Sequence, residues 1–207
     1  MKKVLYLIQQ SGMLFNIRRS LKQLGSSYDN VASHSHQTAV IAYCLCRMES
    51  FSDADAQKAV TMAVFHDLAE ARSGDANFIE KHYVTQDDTR AVKDQFSGLD
   101  FGSDLEKLIE EYEARVTPVS RCVKDADSLQ QIYTEWVLYW QGNKLAKMWF
   151  DSDFNDRVPG MFTASAKKLA LSLKDSHPNE WWWSQFMDND AAKDLNKLLG
   201  QKTKNSV

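Results

Sequence analysis

One stretch limits what this chain can fold into more than any other: Val64-Phe65-His66-Asp67-Leu68-Ala69-Glu70-Ala71-Arg72-Ser73-Gly74-Asp75. A largely apolar run, residues 59–65, leads directly into three side chains that can bind or polarise a metal, His66, Asp67 and Glu70. Residues three and four apart share a helix face, so a helix here brings Glu70 near both Asp67 and His66. An imidazole and carboxylates deep in an apolar helix are costly unless paired or metal-bound. The stretch therefore requires partners from elsewhere in the chain, and a metal is the first to consider.

The remaining sequence supplies helices to surround it. Ser52-Asp53-Ala54-Asp55 starts a central helix expected over 56–72, and Ser73-Gly74 ends it. Residues 5–24 carry apolar side chains at helical spacing, with a break expected at Ser11-Gly12. Asn30 and Ser33 are good helix N-caps, and the run from 39 to 48 is uniform enough to be wholly buried. A polar segment from 75 precedes a short helix near 87–96, and Ser103 opens an amphipathic helix with Leu105, Leu108, Ile109, Tyr112 and Val116 on one stripe. Thr117-Pro118 interrupts that stripe before a long helix over 120–140. A short helix near 144–150, another over 159–173 and a last one from Pro178 complete an all-α, single-domain bundle. Its expected extent is residues 1–200, with helices over 159–200 added to a motif-bearing core at 5–142 and a frayed tail at 201–207. The Trp181-Trp182-Trp183 run cannot face one core entirely; core packing is favoured, and a homodimer contact or the wall of a cleft is the alternative.

Composition removes several function classes. With 8 Gly and 3 Pro in 207 residues, a loop-rich or all-β fold is disfavoured. A net charge of -3 implies no general attraction to a nucleic-acid backbone, so no stable nucleic-acid partner is expected. No stretch approaches the roughly 18 apolar residues of a membrane span. The apolar N-terminus stops at Gln9-Gln10 with no small-residue cleavage site after it, which places the protein in the cytoplasm. Cys44, Cys46 and Cys122 cannot all pair and form no Cys-x-x-Cys signature; Cys44 and Cys46 are expected to be buried thiols.

The scattered candidates are His34, the His66-Asp67 doublet and an aspartate at 125 or 127. Two imidazoles and two carboxylates suit a divalent transition metal, and a helical bundle can aim them at one point. His36 stands near His34 but reads as a surface or capping residue. Periodicity places Asp125 nearer the apolar stripe of its helix than Asp127. The Arg18-Arg19 pair, by periodicity alone, belongs to a solvated face.

Four pieces occur together in order: Asn30-Val31-Ala32-Ser33-His34-Ser35, His66-Asp67-Leu68-Ala69-Glu70-Ala71, Ser73-Gly74-Asp75 and Val123-Lys124-Asp125-Ala126-Asp127. In this the sequence resembles the HD-domain metal phosphohydrolases, and within them the 5′-deoxynucleotidase-like branch. The resemblance implies an HD-type bundle with His34, His66, Asp67 and Asp127 as ligands of one divalent metal, which could be Mn, Co, Mg, Zn or Fe. It implies Glu70 as the general base or water-orienting residue and Asp75 as a contact to the sugar or the metal's water. It places Arg19, with Arg18 as its neighbouring candidate, at the phosphate. Asp125 stays open as the alternative ligand.

Two departures stand out. Ser33 occupies the position before the first His where the family often has an acidic residue. Ser20 follows Arg19 where relatives that select deoxyribose have Trp. The implied activity is hydrolysis of (deoxy)nucleoside 5′-monophosphates. The alternatives are a nucleotide-binding regulatory protein with little catalysis and a phosphodiesterase acting on a cyclic or oligomeric nucleotide.

Overall fold

Described residues of the computed structural model are 1–25 and 29–186, with Asp194 and Lys197 beyond them. The chain is an all-helical single domain. In order it forms α1 (Lys2–Met13), α2 (Val31–Met48), α3 (Asp53–Phe65), α4 (Glu70–Ser73), α5 (Asp88–Phe96), α6 (Gly102–Ala114), α7 (Pro118–Trp140), α8 (Lys144–Arg157), α9 (Ala164–Leu173) and α10 (Glu180–Phe186), with short 3-10 turns between some of them. Among the described residues the sole strand-like feature is an isolated antiparallel bridge between Arg18 and Asn30.

The core is a sandwich of α2, α3 and α7, and it is built from small side chains. Ala42, Cys46, Ala56, Ala59, Ala63, Cys122 and Ala126 are all fully buried there, which lets the helix backbones approach closely. Cys46 and Cys122 face each other as free thiols in a hydrogen bond, with sulfurs 3.5 Å apart. Helix α7, of 23 residues, is the spine; Thr117 and Ser120 close a capping box at its start, with Pro118 in the first turn. Asn30 and Ser33 form the equivalent box on α2.

Local structure differs from the sequence expectation in several places. The central helix does not run through to Arg72: α3 ends at Phe65, and the chain tightens over 66–73. There the amides of Leu68, Glu70, Ala71 and Arg72 each bond three residues back, the 3-10 pattern, before Gly74 stops the turn at φ 76°. The run over 39–48 is not wholly buried. Ala39, Ala42, Leu45 and Cys46 face inward, while Val40, Tyr43 and Met48 lie outside with Cys44, because residues two apart on a helix point to different sides. Residues 5–24 pass through Gly12 as helix and break at Leu14–Asn16 instead. Helix α8 runs on to Arg157, since Phe154 continues the buried row of Ala146 and Phe150 beyond the polar residues that suggested an end. Residues 158–160 form a separate turn ahead of α9. Val116 and Trp181 are exposed; Trp182 and Trp183 are half-buried with ring centroids 5.1 Å apart. Residues 187–207, over which most of the last helix and the tail were expected, lie outside the described residues apart from Asp194 and Lys197.

Candidate metal centre and active site

Three segments meet at the predicted cluster. The first turn of α2 contributes His34, the tightened turn after α3 contributes His66 and Asp67, and α7 contributes Asp127. His34 Nε2 lies 3.3 Å from His66 Nε2, 3.4 Å from Asp67 Oδ2 and 3.3 Å from Asp127 Oδ1. His66 Nε2 lies 3.2 Å from Asp67 Oδ2. His34, His66 and Asp127 present ligand atoms that all lie within 4.8 Å of one another.

The histidine tautomers are set by what lies behind them. His66 Nδ1 sits 2.7 Å from the backbone carbonyl of Ala63, which can only accept, so Nδ1 carries the proton. His34 Nδ1 donates to Gln130 Oε1 at 2.5 Å, and Gln130 is itself oriented through its amide nitrogen to Gln37 and Thr134. Both Nε2 atoms therefore turn a lone pair toward each other and toward two carboxylates. That arrangement is repulsive without a positive charge in its middle, and it is the arrangement of metal-binding imidazoles oriented by hydrogen bonds to their outer nitrogen.

The electrostatics agree. Burial works against charge on His66, yet Asp67 and Asp127 raise its pKa above the ordinary value. Burial also opposes charge on Asp67 and Asp127, but the adjacent imidazoles, with Arg19 for Asp67 and Lys124 for Asp127, hold both well below the usual carboxylate range. The donor set, two imidazoles and two ionised carboxylates, fits a divalent transition metal.

Asp125 and Asp127 separate cleanly. Asp127 faces His34 and also accepts from Tyr112 Oη at 3.0 Å and Lys124 Nζ at 2.7 Å. Asp125 points the other way, taking the amides of Phe162 and Thr163 and the Thr163 hydroxyl at 2.6–3.0 Å. It anchors the entry to α9.

Around the cluster, Arg19 is buried, and its Nη1 donates to Asp75 Oδ2 at 2.9 Å and lies 3.4 Å from Asp67 Oδ2. The bridge of Arg18 to Asn30 and the bond from Arg19 N to Asp29 O fasten this segment to the start of α2. Arg18 is exposed and does not border the cavity. Asp75 also accepts from the backbone amide of Ser20 at 2.7 Å, so it holds both the guanidinium and the chain that carries it. Glu70 has one carboxylate oxygen buried without a partner. Burial, with Asp67 and Asp75 nearby, pushes its carboxyl up to about 10, against the pull of Arg19.

These groups open onto a cavity of about 550 Å³ bordered by Arg19, Ser20, Glu70, Lys124 and, on the far side, residues of α8. Sequence reasoning missed Gln130 and Tyr112. Gln130, a buried polar residue three positions after Asp127, was detectable as an interruption of an apolar stripe; Tyr112 was counted there only as an apolar side chain.

Comparison with known proteins agrees with the fold. The HD domain family model matches residues 13–169, and the chain belongs to the HD-domain family of phosphohydrolases. It is 27% identical over 157 residues to the 5′-deoxynucleotidase HDDC2 of Dictyostelium discoideum, covering 70% of this chain and 82% of that protein. A structural-genomics crystal structure aligns with TM-score 0.70 at 29% identity, over 88% of this chain and 99% of the other. A predicted metal-dependent phosphohydrolase from Magnetospirillum magnetotacticum aligns with TM-score 0.64 at 21% identity, over 83% and 92%, a likeness of fold alone.

Proposed function

We propose that this chain is a metal-dependent 5′-nucleotidase that hydrolyses (deoxy)nucleoside 5′-monophosphates. The observation that carries the reading is the convergence of His34, His66, Asp67 and Asp127, with both imidazole Nε2 atoms freed toward one point. The relative named as a 5′-deoxynucleotidase supports the substrate class. These four residues would hold a divalent metal, which would supply Lewis acidity for water activation and for polarising a phosphoryl oxygen.

The remaining roles belong to the protein's own groups. Glu70, with its partnerless oxygen beside the ligands, accepts the proton of the attacking water. Burial and the neighbouring Asp67 and Asp75 carboxylates raise its pKa, so it takes up a proton more readily than an ordinary carboxylate does. Arg19 neutralises charge building on the phosphoryl oxygens. Asp75 positions Arg19 and gives up part of that ion pair as phosphate arrives. Ser20 lines the cavity with a small side chain in place of the Trp of deoxyribose-selective relatives, so ribose and deoxyribose substrates are both expected to turn over.

Phosphate release from a panel of ribo- and deoxyribonucleoside 5′-monophosphates with Mn²⁺, Co²⁺ or Mg²⁺ tests the reading. Turnover should appear with at least one metal, and Glu70→Gln should keep the metal while losing roughly 10²–10⁴-fold in kcat. Binding without release under every metal would favour a nucleotide sensor. Release only from cyclic or oligomeric nucleotides would make the protein a phosphodiesterase.

A further inference from the structure

Further along α7 from Asp127, and on α8, the cavity is lined by groups that the proposed metal and phosphate contacts do not use. On α7, Asp127, Gln131 and Glu135 occupy successive turns of one face, each step about 6 Å along the axis. Gln131 borders the cavity and is held at every polar atom. Its amide nitrogen donates to Asp153 at 2.7 Å and to Glu135 at 3.2 Å, and its oxygen accepts from Arg157 at 3.2 Å. Asp153 and Arg157, one turn apart on α8, pair at 3.0 Å and both face the same cavity. Behind them Glu135 is fully buried with one carboxyl oxygen unpartnered, a destabilising feature for a mere structural strut.

Two aromatic rings complete this wall. Trp149 of α8 is anchored against Leu21, Leu24, Leu138 and Ala146. Phe78 meets it edge-on, centroids 6.1 Å apart, yet leaves 59% of its own surface open. Phe78 is not on a slack loop. The Asn77 side chain accepts from the amides of Ile79 and Glu80, and Lys22 clamps Glu80 at 2.8 Å. An exposed ring carried on a hydrogen-bonded turn beside an ordered set of donors and acceptors is the composition of a base-recognition site.

We propose that Phe78, Trp149, Gln131, Asp153 and Arg157 form a nucleobase subsite that favours guanine over uracil or thymine. This rests on the nucleotidase reading for what occupies the phosphate end. Guanine offers a carboxylate two adjacent donors, N1–H and the N2 amine, and offers a guanidinium O6 and N7. Uracil and thymine offer a single N–H flanked by two carbonyl oxygens, one of which must face the Asp153 carboxylate. The base stacks on Phe78 while the one-turn offset from Asp127 to Gln131 spans the pentose.

The test is calorimetric binding of guanosine 5′-monophosphate, uridine 5′-monophosphate and baseless ribose 5-phosphate to Mn²⁺-loaded Glu70→Gln protein, where turnover does not intrude. Guanosine monophosphate should bind roughly tenfold or more tightly than ribose 5-phosphate, the scale of one base–aromatic stack. Adding Phe78→Ala should remove most of that gain and leave ribose 5-phosphate binding unchanged; as an exposed side chain it can be removed without unfolding the chain. Adding Asp153→Asn, with folding checked by thermal melting, should narrow the guanine-to-uracil ratio. Equal binding of all three ligands, or a Phe78→Ala loss as large for ribose 5-phosphate as for the nucleotide, overturns the subsite. Should the unsubstituted protein release phosphate from every monoester alike while binding is blind to the base, the subsite fails and the hydrolase stands. Base-selective binding with no phosphate release from any monoester leaves the subsite standing and removes the hydrolase.

Discussion

Asp125 and Asp127 lie two residues apart on α7, and both have little exposure, yet they serve different faces of that helix. Asp127 turns toward His34 across the bundle, with Tyr112 and Lys124 shaping its environment. Asp125 turns toward the start of α9 and satisfies three donors there. The difference teaches what separates a structural carboxylate from a proposed metal ligand here. The structural one meets its donors one for one. The proposed ligand gives Oδ2 to Tyr112 and Lys124 and turns Oδ1 toward His34 Nε2, into a group of acceptor atoms that suits a cation.

The comparison breaks most visibly in activity. Asp127→Ala should abolish metal binding and lower phosphate release by at least about 10³-fold, since the metal's contribution is lost with its ligand. Asp125→Asn should keep most of the turnover of folded protein. Equal losses in the two variants would show that the faces of α7 are not distinct.

Next in size, Arg19→Ala should reduce kcat/KM about 10²-fold as one charge-stabilising donor is lost, with Arg19→Lys recovering only part because an ammonium lacks the forked geometry. Steady-state kinetics on a nucleotide monophosphate reads both. An unchanged kcat/KM would move the phosphate site elsewhere.

The same helix reverses the comparison in stability. Asp125→Ala leaves buried amides of Phe162 and Thr163 without an acceptor and should destabilise the fold by about 3 kcal/mol. Urea unfolding of chelator-treated protein should show that loss, with Asp127→Ala changing much less.

A smaller effect sharpens the picture from further along α7. Burial, with Asp153 alongside, lifts the Glu135 carboxyl from its ordinary 4.5 to about 8. Between these values the folded chain keeps a proton that the unfolded chain has released, so this contribution is complete below pH 4.5, declines as pH rises and is gone above about 8. Glu135→Gln should flatten that decline and raise stability at pH 8 by on the order of 1–2 kcal/mol. Thermal melts at pH 5 and pH 8 check it, and an unchanged pH slope would remove Glu135 from the account.

Much of the scaffold was legible in the sequence because its signals are local. Asn30 with Ser33, Pro118 after Thr117 and Gly74 after Ser73 each mark a helix end through their own backbone chemistry. The tightening over 66–73 was not legible, since a bond three residues back rather than four depends on what the turn packs against. Both faces of α7 are covered, so nearness to the apolar stripe, which favoured Asp125, did not mark the residue that joins the cluster; the choice of Asp127 came from the family pattern. Convergence of α2, the turn after α3 and α7 is a tertiary fact that spacing does not encode. Gln130, Asp153 and Arg157 carry no motif at all.

Metal content after purification and dialysis, measured by elemental mass spectrometry on the unsubstituted chain, Asp125→Asn and Asp127→Ala side by side, bears most directly on the central claim. One divalent transition metal per chain is expected in the first two and essentially none in the third. Metal retained equally by all three, or absent from all three after reconstitution, would contradict it.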